Sequence, residues 1–399
     1  MENIKKRILF NDLVKYFGNK EALVITGMRQ VGKTTLLRQV FDWVGDCPKL
    51  WFDFENPLDV KFFEDIDYNN VYKNLEKTAK KSARSRLTVF IDEIQIYPEA
   101  TKIIKYLIDH YRVKFIVTGS SNYYLKNLFP ESLSGRKFLF ELPALSFREY
   151  LYFKGKIEEK EALTGEISKA LRNSDIFNHK KFEADYDDFV HYGGFPAAVL
   201  ETDFDVKKQI LKNIFSSFFE KDLKILSDYK DIQELRDLLL LLAPRIGSLI
   251  DVTRLASELG TNRPKIYRYL EFLQGAFVIK LLPRHAKTID KAVAGGRKAY
   301  FSDTGLLQVM GGVNDAQLFE NAVINQLFGY GKVSFYNKRN TAEIDAILDK
   351  KIAFKIKLTG TSQDVLRLQK LAADVKIPAQ YVISKKFAEG KNFISPVVL

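Results

Sequence analysis

The chain has 399 residues, of which 46% are hydrophobic and 28% charged, enough for two or three globular domains. Its longest apolar run falls short of the roughly 18–20 residues that a membrane-spanning helix needs, and its single cysteine, Cys47, excludes an intrachain disulfide and a cysteine-based zinc site. The formal net charge of +12 favours polyanionic partners such as nucleic acid, but only weakly, because many proteins are simply rich in lysine.

The first residues, MENIKKRILFNDL, lack the apolar core and the small-residue cleavage site of a secretory signal. A chain without such a signal and with one cysteine is expected in a reducing cytoplasm. No internal repeat or low-complexity tract divides the sequence.

Residues 1–152 alternate strand-like apolar runs with helical patterns. Near-continuous apolar runs such as LTVFID and FIVTG are typical of central parallel strands that are buried on both faces. We therefore predict an α/β domain built as three layers around a parallel sheet. The strand candidates are Ala22–Thr26, Leu50–Asp53, Leu87–Asp92, Phe115–Thr118 and Phe138–Glu141.

The rest of the chain divides into three further segments by composition. Residues 153–249 are charged and helical at first and continue through the turn-forming YGGFP, so we expect a helical lid or connecting region. Residues 250–297 form a compact helix-turn-helix unit. Residues 298–399 mix strand and helix patterns again, which predicts a small α/β domain.

A phosphate-binding motif, G-x-x-x-x-G-K-[ST], occupies residues 27–34, between the apolar strand ALVIT and the helical stretch TTLLRQVFDW. This context favours a genuine P-loop over a chance glycine-rich turn. The glycines let backbone N–H groups point at phosphates, the lysine carries a positive charge to them, and a hydroxyl is offered to Mg²⁺. The residues assigned to nucleotide binding are Gly27, Met28, Arg29, Gln30, Val31, Gly32, Lys33, Thr34 and Thr35, of which Arg29 and Gln30 are expected only to shape the loop.

Two consecutive carboxylates, Asp92 and Glu93, end the apolar strand that begins at Leu87. Asp92 is placed to hold Mg²⁺ together with Thr34, and Glu93 is placed to polarise an attacking water. A surface acidic pair is the competing interpretation. The apolar strand before the pair and the P-loop upstream make it the weaker one.

The pairing of GMRQVGKTT with VFIDEIQ resembles the AAA+ superfamily, in the additional-strand, catalytic-glutamate division of P-loop ATPases. The resemblance implies ATP hydrolysis with Mg²⁺, and it makes Ser120 or Ser121, at the end of FIVTGSS, the sensor of the γ-phosphate. Arg136, in LSGR before the strand KFLFEL, resembles an arginine finger that acts in its own subunit or in a neighbour. An ordinary surface arginine is the alternative. A finger acting on a neighbour would require a homo-oligomer.

ELPALSFREYL and the later YGGFP resemble more specifically a bacterial and archaeal group of AAA+ ATPases fused to a C-terminal domain of unknown function. This resemblance spans nearly the whole chain. GGFP suggests no chemistry, and we expect Gly193 and Gly194 to form a tight turn.

Residues 251–270 resemble a winged helix-turn-helix. Ala256 allows close helix crossing, Gly260 supplies the turn, and Thr261 or Asn262 is placed to cap the second helix. The alternation Phe277–Leu282 predicts a wing strand. If the unit binds DNA, the contacts come from Arg263, Lys265 and Arg268, helped by Lys280, Arg284 and Lys287. A structural or protein-binding winged helix is the alternative, since basic residues on exposed helices are often only solvated.

The last segment resembles the PD-(D/E)xK nuclease-like fold, which implies that a helix acid, Glu320, meets Asp345 of the strand AEIDAIL at a metal site. Lys355, in the strand IAFKIKL, occupies the position of the third carboxylate. A cation there lowers metal affinity, so we expect the fold without cleavage, with Lys355 and Lys357 retained for phosphate contact. An unrelated α/β domain is the alternative.

Taken together, the sequence predicts an ATP-hydrolysing AAA+ protein that couples its nucleotide state to the winged helix and to the nuclease-like region. In one form of this hypothesis the protein acts while bound to DNA. The rival hypothesis is a nucleotide-switched DNA-binding regulator whose hydrolysis is slow. A third hypothesis, disfavoured by Lys355, is an ATP-dependent nuclease.

Overall fold

The computed structural model describes residues 5–79, 86–120, 135–163, 165–222, 229–286, 295–338 and 342–399. The chain divides into two compact units. One comprises the residues up to Pro143 together with Gly275–Phe277, and the other comprises Ala144–Gln274 and Val278–Leu399. Within the described ranges, no helix is both long enough and apolar enough to cross a lipid bilayer.

The first unit is built on a five-stranded sheet whose strands all run parallel, in the order β2-β3-β4-β1-β5. The predicted α/β class is confirmed, and each of the five predicted strands occurs within one residue of its predicted start and end. β1, β3 and β4 are buried along their whole length, as expected of strands covered on both faces. The strands are β1 (Ala22–Thr26), β2 (Lys49–Asp53), β3 (Thr88–Asp92), β4 (Lys114–Gly119) and β5 (Lys137–Glu141).

Helices connect β1 to β2, β2 to β3 and β3 to β4, as parallel pairing requires. One core cluster joins strand residues such as Val89 and Val117 to the helix side chains Leu75 and Ile104, which anchors the sheet that carries the site. The helical segments of this unit are Leu9–Tyr16, Lys33–Trp43, Pro57–Val60, Tyr68–Thr78 and Ala100–Tyr111, with short 3₁₀ turns at Lys61–Phe63 and Ile94–Ile96.

The second unit begins with helices and contains a helix-turn-helix. Gly260 has a φ of 61°, the left-handed conformation that favours glycine, and Asn262 caps the next helix through the backbone N–H of Lys265, as predicted. The helical segments are Phe147–Phe153, Glu159–Leu163, Ile167–Arg172, Ile176–Tyr192, Pro196–Leu200, Phe204–Ser217, a π-helical turn at Phe218–Asp222, Tyr229–Leu242, a 3₁₀ turn at Ala243–Arg245, Val252–Glu258 and Arg263–Gly275.

Two sheets complete this unit. β6 (Ile279–Pro283) and β7 (Arg297–Phe301) form an antiparallel pair directly after the helix-turn-helix. A mixed sheet follows, in the order β12-β11-β10-β9-β8. Its strands are β8 (Val333–Lys338), β9 (Ala342–Leu348), β10 (Ile352–Lys357), β11 (Ala379–Ser384) and β12 (Phe393–Ile394); the helical segments are Thr304–Met310, Asp315–Phe328, Ser362–Asp374 and a 3₁₀ turn at Pro396–Val398.

The two glycines of YGGFP are required by a buried carboxylate. Asp303, fully inside the second unit, accepts hydrogen bonds from the backbone N–H groups of Gly194 at 2.7 Å and Gly305 at 2.8 Å. A Cβ at Gly193 would stand 2.1 Å from the Asp303 carboxylate, and a Cβ at Gly194 would stand 2.2 Å from the carbonyl oxygen of Leu145. The motif is therefore a tight turn, as expected, that fastens the end of the helix Ile176–Tyr192 to the start of the helix Thr304–Met310.

The predicted division into segments ending at residues 152, 249, 297 and 399 differs from the two compact units. The boundaries at residues 152, 249 and 297 remain predictions about the domain organisation of the chain.

Candidate functional site

Three of the predicted site elements meet at the carboxyl edge of the first unit's sheet. Thr26, the last residue of β1, pairs with Gly119 of β4, so the P-loop and Ser120 leave neighbouring strands at the same level. β3 lies on the other side of β4 and ends at Asp92. The carboxyl edge of a parallel sheet is where α/β proteins bind ligands, because the loops that leave adjacent strands converge there.

The P-loop has a conformation that its glycines permit. Gly27 has a φ of 153°, and a Cβ on it would stand 2.2 Å from the carbonyl oxygen of Leu142. Gly32, with a φ of 96°, precedes the first turn of the helix Lys33–Trp43. The Lys33 ammonium is buried and donates hydrogen bonds to the carbonyl oxygens of Gly27 and Met28, each at 3.0 Å. The loop is thus wrapped around the lysine at a helix N-terminus, where anions bind.

Among the other assigned loop residues, Met28 and Val31 are buried, whereas Thr34 and Thr35 are exposed at the start of the helix. Ser121, the second candidate for the γ-phosphate sensor, lies outside the described residues.

Asp92 is almost fully buried; the Thr118 hydroxyl donates a hydrogen bond to its carboxylate, and the Thr34 hydroxyl lies close enough to lower its pKa. Burial raises the pKa of Asp92 above its ordinary value; the two hydroxyls oppose this shift, and the nearby charges of Glu93 and Asp53 add to it. A cation beside Asp92 would stabilise the ionised form of this buried carboxylate. Thr118, which the sequence interpretation did not single out, also accepts a hydrogen bond from the Glu93 N–H at 3.0 Å.

The contact between Thr34 and Asp92 brings together one hydroxyl and one carboxylate oxygen, the ligand types that Mg²⁺ prefers. No group of three or more His, Cys, Asp or Glu residues that could hold a metal occurs in the described parts of the chain. Mg²⁺ commonly uses one or two protein ligands and completes its shell with water and phosphate oxygens. The residues present therefore fit a magnesium ion bound together with a nucleotide.

Glu93 and Ser120 are joined by Gln95. The Gln95 side-chain amide donates to the Glu93 carboxylate and, at 3.0 Å, to Ser120 Oγ, and its oxygen accepts from the Ser120 N–H at 3.4 Å. Glu93 itself has a φ of 54°, which is uncommon for a residue with a side chain and is frequent at functional sites. Gln95 stands in the quoted motif VFIDEIQ, but a sequence pattern alone does not indicate this bridge.

A third residue missed by the sequence interpretation holds the P-loop through a backbone carbonyl. Arg7 is buried, and its guanidinium donates to the carbonyl oxygen of Val31 at 2.7 Å and to that of Pro143 at 2.8 Å. One side chain therefore fixes both the P-loop and the segment that follows β5. The only available signal was an arginine close to the N-terminus, which by itself is uninformative.

Arg136 does not join this site within its own chain. Its carbonyl accepts a hydrogen bond from the N–H of Ala22, the first residue of β1, so it lies at the amino edge of the sheet. β1 spans roughly 13 Å from that edge to the P-loop. The Arg136 side chain forms an ion pair with Asp109 at 3.2 Å and is partly exposed.

The basic residues of the helix-turn-helix divide into two kinds. Arg263 and Arg268 are exposed on the helix Arg263–Gly275. The Lys265 ammonium instead forms ion pairs with Asp231 at 2.6 Å and Glu234 at 2.7 Å, and the hydrogen bonds that it donates to these carboxylates raise its pKa. Lys265 is therefore engaged within the unit. Of the assisting residues, Lys287 lies outside the described residues.

The residues of the nuclease-like motif do meet, but their charges are neutralised within the chain. Lys355 donates to Asp345 at 2.6 Å, and Lys298 donates to Glu343. Glu320, on the helix Asp315–Phe328, accepts a hydrogen bond from Tyr300 at 2.7 Å. Burial, followed by the charge of Asp345, raises the pKa of Glu320 to about 7. Two of the three carboxylates thus have a lysine partner, and the pKa of the third is raised toward neutrality, so the cluster offers a metal ion less negative charge than three free carboxylates would.

Two sequence families match parts of this chain. Residues 19–151 match the AAA domain, and residues 183–317 match a domain of unknown function. The first match covers β1 to β5 and the carboxyl-edge residues described above, so this part of the chain is similar to AAA domains.

Full-length relatives are uncharacterised. A protein of Methanocaldococcus jannaschii is 27% identical over 394 residues, covering 94% of this chain and 83% of its own, and a protein of Haemophilus influenzae is 25% identical over 399 residues, covering 95% and 94%. Among solved structures, the Walker-type ATPase of Pyrococcus abyssi aligns with a TM-score of 0.47 and 14% identity, over 77% of this chain and 96% of its own. The Orc1 protein of Aeropyrum pernix, solved in complex with DNA, aligns with a TM-score of 0.32 and 11% identity, over 75% and 90%.

Proposed function

We propose that the chain binds ATP together with Mg²⁺ and hydrolyses the γ-phosphate at the carboxyl edge of the first unit's sheet. The observation that carries the proposal is the contact of Thr34 with Asp92, because it joins the P-loop to the end of β3 at the point where a nucleotide-bound cation has to sit. Lys33, held inside the loop, supplies positive charge to the terminal phosphates.

Each remaining residue has a role in this scheme. Magnesium, when bound, neutralises charge on the phosphate oxygens. Asp92 and Thr34 hold it, and Glu93 orients and polarises the attacking water. Ser120, next to the P-loop, contacts the γ-phosphate. In such a reaction the protein contributes chiefly position and electrostatic stabilisation, which suits a site of fixed hydrogen bonds.

Arg136 enters the scheme only through a second copy of the chain. Because it lies at the amino edge of its own sheet, its side chain reaches a phosphate site only when another subunit presents one. We therefore propose a homo-oligomer in which Arg136 completes the neighbour's site. Mixing Arg136→Ala chains with Lys33→Ala chains should restore part of the activity that each lacks alone, and a monomer with full activity would remove this role.

The function is tested first by binding. We expect titration with a fluorescent ATP analogue to give Mg²⁺-dependent binding to the intact chain and none to Lys33→Ala, with the fold checked by circular dichroism. Lys212→Ala, on an exposed position of the helix Phe204–Ser217 in the other unit, is the matched control and should bind normally. Equal binding by the Lys33→Ala and control variants would remove the P-loop assignment.

A second function, a nucleotide-switched DNA-binding regulator, is favoured by the two exposed arginines, Arg263 and Arg268, beside the β6–β7 pair. We propose that this region is a winged helix and that DNA is its ligand. Salt-sensitive binding of duplex DNA that differs between ATP and ADP would support the regulator, and no binding at low salt would exclude it.

An ATP-dependent nuclease is the third reading, and the ion pair of Lys355 with Asp345 disfavours it. Cleavage that needs a divalent metal and is abolished by Asp345→Ala would restore it. We expect no cleavage.

A further inference from the structure

We propose that Gln95 is a positioning residue that couples the γ-phosphate sensor, Ser120, to the water-activating carboxylate of Glu93. The inference rests on the proposed ATPase function and concerns how the same site is controlled. Gln95 is not itself a group that contacts phosphate or water in this scheme.

The geometry of the amide carries the proposal. A glutamine amide has two N–H donors and one oxygen with two acceptor positions. At Gln95 both kinds of group point into the site: Nε2 donates to the Glu93 carboxylate and to Ser120 Oγ at 3.0 Å, and the oxygen accepts from the Ser120 N–H at 3.4 Å. Ser120 is therefore held through two of its atoms, and Glu93 through one carboxylate oxygen.

The backbone keeps Gln95 in this place. It is the middle residue of the 3₁₀ turn Ile94–Ile96, whose first side chain, Ile94, is buried in the core of the unit. The N–H of Ile96 donates to the carbonyl of Glu93 at 3.1 Å, which closes the turn. With its neighbour anchored in the core and the turn closed, Gln95 has little freedom to leave the site without breaking its bonds to Ser120 and Glu93.

The chemical consequence is a coupling between two steps. A general base works only when its carboxylate is ionised and aimed at the water. The amide N–H fixes one carboxylate oxygen of Glu93, which leaves the other for the water. When Ser120 engages a γ-phosphate, any shift of its hydroxyl moves the amide that it shares with Glu93. The carboxylate is thus aligned when a triphosphate is present, and less well when the diphosphate has replaced it.

The test substitutes methionine, which has nearly the length of glutamine but no hydrogen bond to give. We expect Gln95→Met to lower kcat for ATP by about 10- to 100-fold while KM and the affinity for ATP stay within about 2-fold. A purely structural role would not separate kcat from KM in this way.

The same substitution in a Glu93→Gln background distinguishes an effect that acts through Glu93 from a general disturbance of the site. If Gln95 acts through Glu93, Gln95→Met should change the residual rate of Glu93→Gln by less than about 3-fold. Equal losses in both backgrounds, an unchanged kcat, or a loss of ATP affinity in place of kcat would each overturn the inference. Those results leave the ATPase function standing, whereas a wild-type chain without ATP hydrolysis, or a fully active Glu93→Gln chain, refutes the proposed function and this inference with it.

Discussion

The guanidinium of Arg7 donates a 2.7 Å hydrogen bond to the carbonyl oxygen of Val31, in the middle of the P-loop. The same side chain also holds the carbonyl of Pro143, the last residue of the first unit before Ala144. Since Arg7 is buried, removing its guanidinium leaves the Val31 carbonyl without its hydrogen-bond partner. The shape of the P-loop therefore depends on a residue twenty positions before the motif.

From this contact we expect Arg7→Ala to weaken ATP binding without touching any phosphate-contacting residue. Loss of the charged hydrogen bonds should also lower the free energy of unfolding by about 1–3 kcal/mol. Urea unfolding and nucleotide titration measure the two effects. Arg172→Ala, at an exposed position in the other unit, serves as the control and should change neither quantity. Unaltered ATP affinity in a folded Arg7→Ala chain would contradict the support role.

Much of the first unit could be predicted because its signals are local. ALVIT is followed at once by a glycine loop, so β1 and the P-loop were placed to the residue, and LTVFID located Asp92 in the same way. In a parallel sheet, a residue just before a strand lies at the amino edge and a residue just after it lies at the carboxyl edge. Arg136 precedes β5, so the sequence already carried the information that it lies away from its own P-loop.

What could not be predicted depends on contacts between distant parts of the chain. The bonds from Arg7 to Val31 and Pro143 join residues 24 and 136 positions apart, and no periodicity reports them. Lys265 was assigned to DNA because it stands on an exposed-looking helix, yet its partners, Asp231 and Glu234, come from the helix Tyr229–Leu242. Propensity and patterning describe one element at a time, whereas these bonds form only when two elements meet.

The tight turn at Gly193 and Gly194, which binds the Asp303 carboxylate, predicts that a single added methyl group lowers stability. In Gly194→Ala the new Cβ would meet the carbonyl oxygen of Leu145 at 2.2 Å, so the turn has to move and the bond from the Gly194 N–H to Asp303 is strained. We expect a loss of about 1–3 kcal/mol in the free energy of unfolding. Gly165→Ala is the matched control, because nothing lies within 4 Å of a Cβ there. Equal midpoints of urea unfolding for the two variants would show that this turn does not contribute to stability.

The raised pKa of Glu320 predicts how stability depends on pH. Its pKa is about 7 in the folded chain, above its ordinary value of 4.5, so the folded chain binds the proton more tightly than the unfolded chain. The stabilisation is fully present below about pH 4.5 and is lost as the pH rises through about 7. Glu320→Gln, which keeps an acceptor for Tyr300, should remove this dependence.

The measurement for Glu320 is the free energy of unfolding at pH 5 and pH 8 for both chains. Wild type should lose roughly 1–3 kcal/mol more than Glu320→Gln between these values, because one pKa unit corresponds to about 1.4 kcal/mol. Parallel curves for the two chains would mean that Glu320 is ionised throughout this range.

The helix-turn-helix arginines and Lys265 should behave differently. Replacing both Arg263 and Arg268 by alanine should weaken duplex DNA binding and reduce its salt dependence, with no change in stability, because both side chains are exposed. Lys265→Ala should cost about 1–2 kcal/mol in stability, since it leaves Asp231 and Glu234 without their ammonium partner. Fluorescence anisotropy with labelled DNA and urea unfolding separate the two outcomes. A selective loss of DNA binding in Lys265→Ala would reverse this assignment.

The central claim is that Asp92 holds the Mg²⁺ that binds with ATP, whereas Glu93 activates the water for hydrolysis. One measurement tests this claim most directly. Steady-state phosphate release and ATP affinity are compared for wild type and Glu93→Gln at saturating Mg²⁺. We predict that Glu93→Gln binds ATP as tightly as wild type. It should release phosphate at least about 100-fold more slowly, since general-base catalysis typically contributes 10²–10⁴-fold. A Glu93→Gln chain that hydrolyses ATP at the wild-type rate would contradict it.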